Sequence, residues 1–91
     1  MQIETLNPIK IRVFGEERFD FLQNIITNDL TKLKEELKSF ILSPQGKILY
    51  EIIITKSDES YELVCSNDQN DFPTFLNKYA LLSDVKLSIE K

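Results

Sequence analysis

The chain has 91 residues, 42% hydrophobic and 29% charged, with a net charge of −4 from 11 Lys plus Arg against 15 Asp plus Glu. A chain this short buries only about 60–65% of the surface its unfolded form exposes, enough for one core and one domain, and its composition is neither disordered nor fibrous. The net charge gives no field to attract a phosphate backbone, so direct nucleic-acid binding is disfavoured; one cysteine, Cys65, rules out an intrachain disulfide, and the lack of histidine removes the commonest general base and metal ligand.

Ile9, Ile11 and Val13 alternate with Lys10 and Arg12 up to Gly15, which predicts a half-buried strand over Ile9 to Phe14. After Gly15 the apolar residues Phe19, Leu22, Ile25 and Ile26 recur at helical spacing behind Glu16 and Glu17, whose charge suits a helix N-terminus. Thr27, Asn28 and Asp29 cap and turn rather than propagate that helix, and Leu30 to Lys38 forms a charged connector with Leu33 and Leu37 inward. Phe40 to Leu42 is a compact apolar strand. It stops at Ser43-Pro44-Gln45-Gly46, a hairpin turn.

Lys47 to Thr55 is apolar at both parities apart from Glu51, with Ile48, Tyr50, Ile52 and Ile54 on one face and Leu49 and Ile53 on the other. That pattern predicts a central strand covered on both sides. Tyr61 to Ser66 is its antiparallel return, carrying Leu63 and Cys65. Asn67 to Asp71 supplies capping residues, and Pro73 suits a first helical turn. The second helix presents Phe72, Phe75, Leu76, Tyr79 and Ala80, and Val85, Leu87 and Ile89 alternate in a last strand. The fold class is α+β: a mainly antiparallel sheet with two helices, in the order strand, helix, three strands, helix, strand. No run reaches the roughly 18 apolar residues of a membrane span. The start MQIETLNPIK lacks the features of a secretory signal, so a cytoplasmic protein without a membrane partner is expected.

No acid, base or nucleophile is placed by a specific motif. Gly46-Lys47 is not a phosphate loop, because the lysine opens a strand instead of a helix, and the turn reads either as a plain hairpin or as a ligand-contacting loop. Asp58, Glu59 and Glu62 sit at a turn tip, where carboxylates are ordinarily solvated. Cys65, mid-strand among apolar neighbours, reads as a buried and inert thiol. Tyr50 is either core packing or a hydroxyl pointing into a pocket.

Three segments carry a resemblance. Val13-Phe14-Gly15 through Phe21-Leu22-Gln23 with Thr27-Asn28-Asp29-Leu30, then Ser43-Pro44-Gln45-Gly46-Lys47, then Leu76-Asn77-Lys78-Tyr79-Ala80 with Ser83-Asp84-Val85, together resemble the superfamily of YgfZ-type proteins and glycine-cleavage T-proteins, the aminomethyltransferases. The resemblance covers nearly the whole chain and implies the amino-terminal half of a duplicated folate-binding domain. It implies a tetrahydrofolate-type ligand, with Gln23, Thr27, Asp29, Lys47 and Tyr50 at the matching positions, and a partner that is either the missing carboxy-terminal half or a second copy in a homodimer. Gln23, Thr27 and Asp29 also read as a hydrogen-bonding cluster at a helix end.

Aminomethyltransferases carry paired aspartates a few residues after the turn glycine, where this sequence has Leu49-Tyr50. A phenol cannot supply the negative charge that steadies a cationic methylene-transfer step. The substitution points to the YgfZ type, whose role is to support iron–sulfur cluster assembly or repair, with effects on tRNA modification. The diagnostic Lys-Gly-Cys-Tyr-x-Gly-Gln-Glu motif of that type does not occur in these 91 residues. The competing reading is a ferredoxin-like dimerisation or small-molecule-binding module with no folate role, and an aminomethyltransferase-related protein comes third.

Overall fold

The structure is a computed structural model that describes residues 8–66 and 68–90. Asn67, one of the anticipated capping residues, lies outside them. The elements run β1 (Ile9–Phe14), α1 (Arg18–Ile25), a 3-10 turn at Leu30–Lys32, β2 (Glu36–Leu42), β3 (Ile48–Lys56), β4 (Tyr61–Cys65), α2 (Phe72–Ala80) and β5 (Lys86–Glu90). They form one five-stranded sheet in the order β2-β3-β4-β1-β5, with every neighbouring pair antiparallel. No helix among the described residues is long and apolar enough to cross a membrane.

Register fixes the core. Ile11 faces Leu63, Leu63 faces Ile54, Ile54 faces Leu37, and on the far side Ile89 faces Ile11, so one parity of all five strands shares a face. Ile9, Ile11, Val13, Ile41, Tyr50, Ile52, Ile54, Leu63 and Cys65 are buried there together with Phe21 and Leu22 of α1 and Phe72 and Leu76 of α2. Both helices therefore lie on the same face, because the β1-to-β2 and β4-to-β5 connections both cross it.

This arrangement corrects two sequence expectations. β3 is covered by helices on one face only: Leu49 is 42% exposed and Ile53 half-buried. The opposite face carries Phe40, Ile53 and Val64, half-buried, between two ion pairs, Lys38 Nζ to Glu51 Oε1 at 3.9 Å and Arg12 Nη2 to Glu62 Oε2 at 3.6 Å. In α1, Phe21 faces inward and Phe19 is 37% exposed. The helix has only eight residues and starts at Arg18, so the register of its buried face is set by Phe21 and Leu22 packing on the sheet.

Two local devices hold the frame. Gly15 adopts φ +113°, a conformation that side chains on L-residues rarely tolerate, in the turn from β1 to α1. Its carbonyl accepts from Arg18 Nη1 at 2.8 Å, and Glu17 N donates to Asp84 O at 3.2 Å, tying that turn to the loop entering β5. Gln69 extends the sheet: β3 outruns its pairing with β4, which reaches Ile53 and Val64, and the Gln69 amide takes the place of a strand at Glu51. Gln69 Oε1 accepts from Glu51 N and Nε2 donates to Glu51 O, each at 3.0 Å. One side chain thus satisfies a backbone donor and acceptor that burial would otherwise leave unpaired.

Candidate functional site

The segment after α1 lies along the outer edge of β2. An isolated antiparallel bridge joins Ile26 to Ile41, and Thr27 N donates to Phe40 O at 3.0 Å. Thr27 Oγ1 accepts from Phe40 N at 3.1 Å, and Asn28 Nδ2 donates to Lys38 O at 3.0 Å. Ser39, buried on the core face, accepts from Thr27 N and Asn28 N, both at 3.1 Å. Gln23 completes the network, with Nε2 donating to Asn28 O at 2.9 Å and Oε1 accepting from Leu30 N at 2.8 Å. Thr27 and Asn28 thereby close a sheet edge whose free N–H and C=O groups would otherwise invite another chain, and Gln23 holds that segment in place.

Asp29 caps the 3-10 turn. Its Oδ1 accepts from Thr31 N at 3.0 Å and from Thr31 Oγ1 at 2.6 Å. Those bonds to the ionised form, the side-chain one foremost, hold its carboxyl below the ordinary aspartate range, and Lys32 adds to the effect.

Lys47 and Tyr50 lie on the other side of β2, in and beside the β2–β3 hairpin. The turn is closed by Ser43 N to Lys47 O at 2.8 Å and Gly46 N to Ser43 O at 2.9 Å, with Gly46 at φ +88°. Lys47 is exposed. Tyr50 faces Ile41 across the hairpin, 7% exposed, and its ring packs against Phe72 and Phe75 at centroid distances of 4.9 and 5.1 Å. Burial pushes its phenol up to about 12, and the Asp71 carboxylate beside the hydroxyl reinforces this. Asp71 occupies the N-cap position of α2 yet makes no cap bond to that helix. Of the two sequence readings of Tyr50, core packing describes its ring, while its hydroxyl has Asp71 for company.

The structure therefore joins Gln23, Thr27 and, through its neighbours, Asp29 in one network, with Lys47 and Tyr50 outside it among the described residues. Cys65 is fully buried, and burial foremost raises its thiol above the ordinary value, so it stays protonated and unreactive at neutral pH. Neither Tyr50 nor Cys65 is poised to act as a base or nucleophile. Sequence reasoning passed over Ser39 and read Gln69 and Asp71 only as capping residues, whereas Gln69 bonds the Glu51 backbone and Asp71 lies beside Tyr50 without capping α2. Ser39 was detectable in principle, since it is polar at the inward parity shared by Leu37 and Ile41; Gln69, in a loop, carries no such signal.

No protein-family profile matches the chain. It is 41% identical over 68 residues to an aminomethyltransferase of Thermoanaerobacter sp., a match covering 69% of this chain and 18% of that protein. It is 34% identical over 86 residues to an aminomethyltransferase of Caldanaerobacter subterraneus subsp. tengcongensis, covering 89% of this chain and 22% of that one. Its fold is similar to the crystal structure of glycine cleavage system aminomethyltransferase T from Bartonella henselae, with a TM-score of 0.78 and 26% identity over 91% of this chain and 24% of that chain. The chain thus spans about a fifth of the length of the curated relatives it matches.

Proposed function

We propose that this chain, related in sequence and fold to the aminomethyltransferase superfamily, forms one half of a tetrahydrofolate-binding body. In this reading the protein binds folate as YgfZ-type members do, in support of iron–sulfur cluster assembly or repair, and does not itself catalyse methylene transfer. The observation that carries it is the environment of positions 49 to 51. Tyr50 is a protonated phenol packed under α2, and Leu49 has no charge to offer. The next carboxylate, Glu51, projects from the opposite sheet face and lies beside Lys38. No carboxylate of positions 49 to 51 reaches the face that Tyr50 occupies, so this stretch supplies no anion to steady a cationic transfer step.

The ligand-facing positions are those of the resemblance. Exposed Lys47 offers a cation to the carboxylates of a folate tail. Asp29, held ionised by Thr31, offers a fixed acceptor on the 3-10 turn, while Gln23 and Thr27 brace the outer edge of β2 and Tyr50 packs beneath the hairpin that carries Lys47. The similarity to aminomethyltransferases favours a second reading, an aminomethyltransferase whose catalytic carboxylate comes from another part of the protein.

Thermal unfolding of the full-length protein with 5-formyltetrahydrofolate, alongside an assay of one-carbon transfer from an aminomethyl donor to tetrahydrofolate, separates these readings. The binder reading expects stabilisation of about 2.7 kcal/mol when ligand is 100 times its Kd, and no turnover. Stabilisation with turnover selects the aminomethyltransferase, and no stabilisation by any folate removes both.

A further inference from the structure

The two edges of the sheet are treated differently. The β2 edge is closed by Thr27 and Asn28, whose backbone and side chains meet the groups of Lys38 and Phe40. At the other edge β5 pairs with β1 on its inner side, and no strand or side chain among the described residues pairs with its outer side. Apolar surface gathers at this edge. Ile89 is 41% exposed, and an open groove of about 420 Å³ between α2 and β5 is lined in part by Ala80, Leu81, Val85 and Leu87. Leu81 is 87% exposed. An uncapped edge beside exposed apolar side chains is a template for strand addition.

Residues 86–90 read Lys-Leu-Ser-Ile-Glu, a segment complementary to itself when reversed. We propose that β5 pairs antiparallel with β5 of a second copy about a two-fold axis at Ser88, joining two five-stranded sheets into one of ten strands. In that register basic position 86 meets acidic position 90 of the other copy, twice, and Leu87 meets Ile89 on the helix face, twice. Opposite charges and apolar pairs placed directly across strands stabilise a sheet. The closed β2 edge blocks head-to-tail addition, so the assembly stops at an isologous dimer instead of growing into a filament. The pairing depends on no ligand, and its failure would leave the folate reading untouched.

Sedimentation equilibrium of the 91-residue chain at micromolar concentration should give a species of about 21 kDa, twice the 10.6 kDa of the chain. Lys86→Glu, at an exposed position, should raise the dimer dissociation constant roughly tenfold by setting like charges across the axis. The double variant Lys86→Glu/Glu90→Lys should restore dimerisation, because it swaps both charges and recreates the opposition. A monomeric wild-type chain, an unaffected single variant or an unrescued double variant would overturn the proposal. So would a longer form of the protein that stays monomeric with β5 amides protected from hydrogen exchange, since another segment of the same chain would then occupy the edge.

Discussion

Gly15→Ala should lower stability by about 2–4 kcal/mol, seen as a fall in Tm of roughly 10–25 °C with the shape of the unfolding transition preserved. Two costs add. The turn holds φ at +113°, where any Cβ is strained, and that Cβ would collide with the backbone carbonyl of Asp84 and lie 2.8 Å from the Cα of Val85. Neither atom can swing aside like a side-chain tip, because Asp84 O also accepts from Glu17 N and the loop leads directly into β5. Gly46→Ala is the matching control. Its φ of +88° is strained too, but a Cβ there meets nothing within 4 Å, so only the conformational cost of about 1 kcal/mol remains. A Gly15 variant no worse than the Gly46 variant would show that the 81–85 loop is free to yield.

Tyr50→Ala should cost about 3–5 kcal/mol, a large share of the roughly 5–14 kcal/mol available to a domain of this length, whereas Tyr50→Phe should cost about 1 kcal/mol. The alanine variant empties the space against Phe72 and Phe75 at the middle of the aromatic cluster; the phenylalanine variant removes only the hydroxyl beside Asp71. Their alkaline behaviour differs as well. The folded-state pKa of Tyr50 is raised to about 12 from 10.0, so the folded chain holds that proton more tightly than the unfolded one. Its contribution is complete below pH 10 and is lost as pH rises towards 12. Wild type should therefore lose stability relative to Tyr50→Phe across that window, as followed by urea unfolding at successive pH values. Parallel curves would mean that the phenol is solvated.

Much of this frame is legible in the sequence where a local pattern controls the outcome. The alternation of Ile9, Ile11 and Val13 with charged neighbours matches β1 residue for residue, and the Phe72, Leu76 and Pro73 pattern matches α2. β2 runs from Glu36 and not from Phe40, because its inward row includes Ser39, whose hydroxyl is satisfied by Thr27 and Asn28. Parity places Ser39 on the inward row of Leu37 and Ile41, but the partners twelve positions away that make its burial tolerable leave no local signal. The one-sided cover of β3 was hidden for a related reason: Leu49 and Ile53 are apolar, yet whether a helix lies over them depends on which face two long crossovers select.

The site is legible in a different way. Motif resemblance located Gln23, Thr27 and Asp29, and the structure gives each a hydrogen-bonding task near the β2 edge and the adjoining turn. Such a task and a ligand role are compatible, since a strand edge pinned from outside makes a rigid wall for a neighbouring hairpin. Gln69 and Asp71 act through backbone and phenol partners that no spacing rule encodes.

Amide chemical shifts of the isotopically labelled protein, followed while tetrahydrofolate is added, test the folate-binding assignment most directly. Saturable shifts should concentrate on the β2–β3 hairpin, at Lys47, Leu49 and their neighbours, and on Asp29, while the α2–β5 groove stays still. A spectrum unchanged at high folate, or shifts confined to the groove, would contradict it.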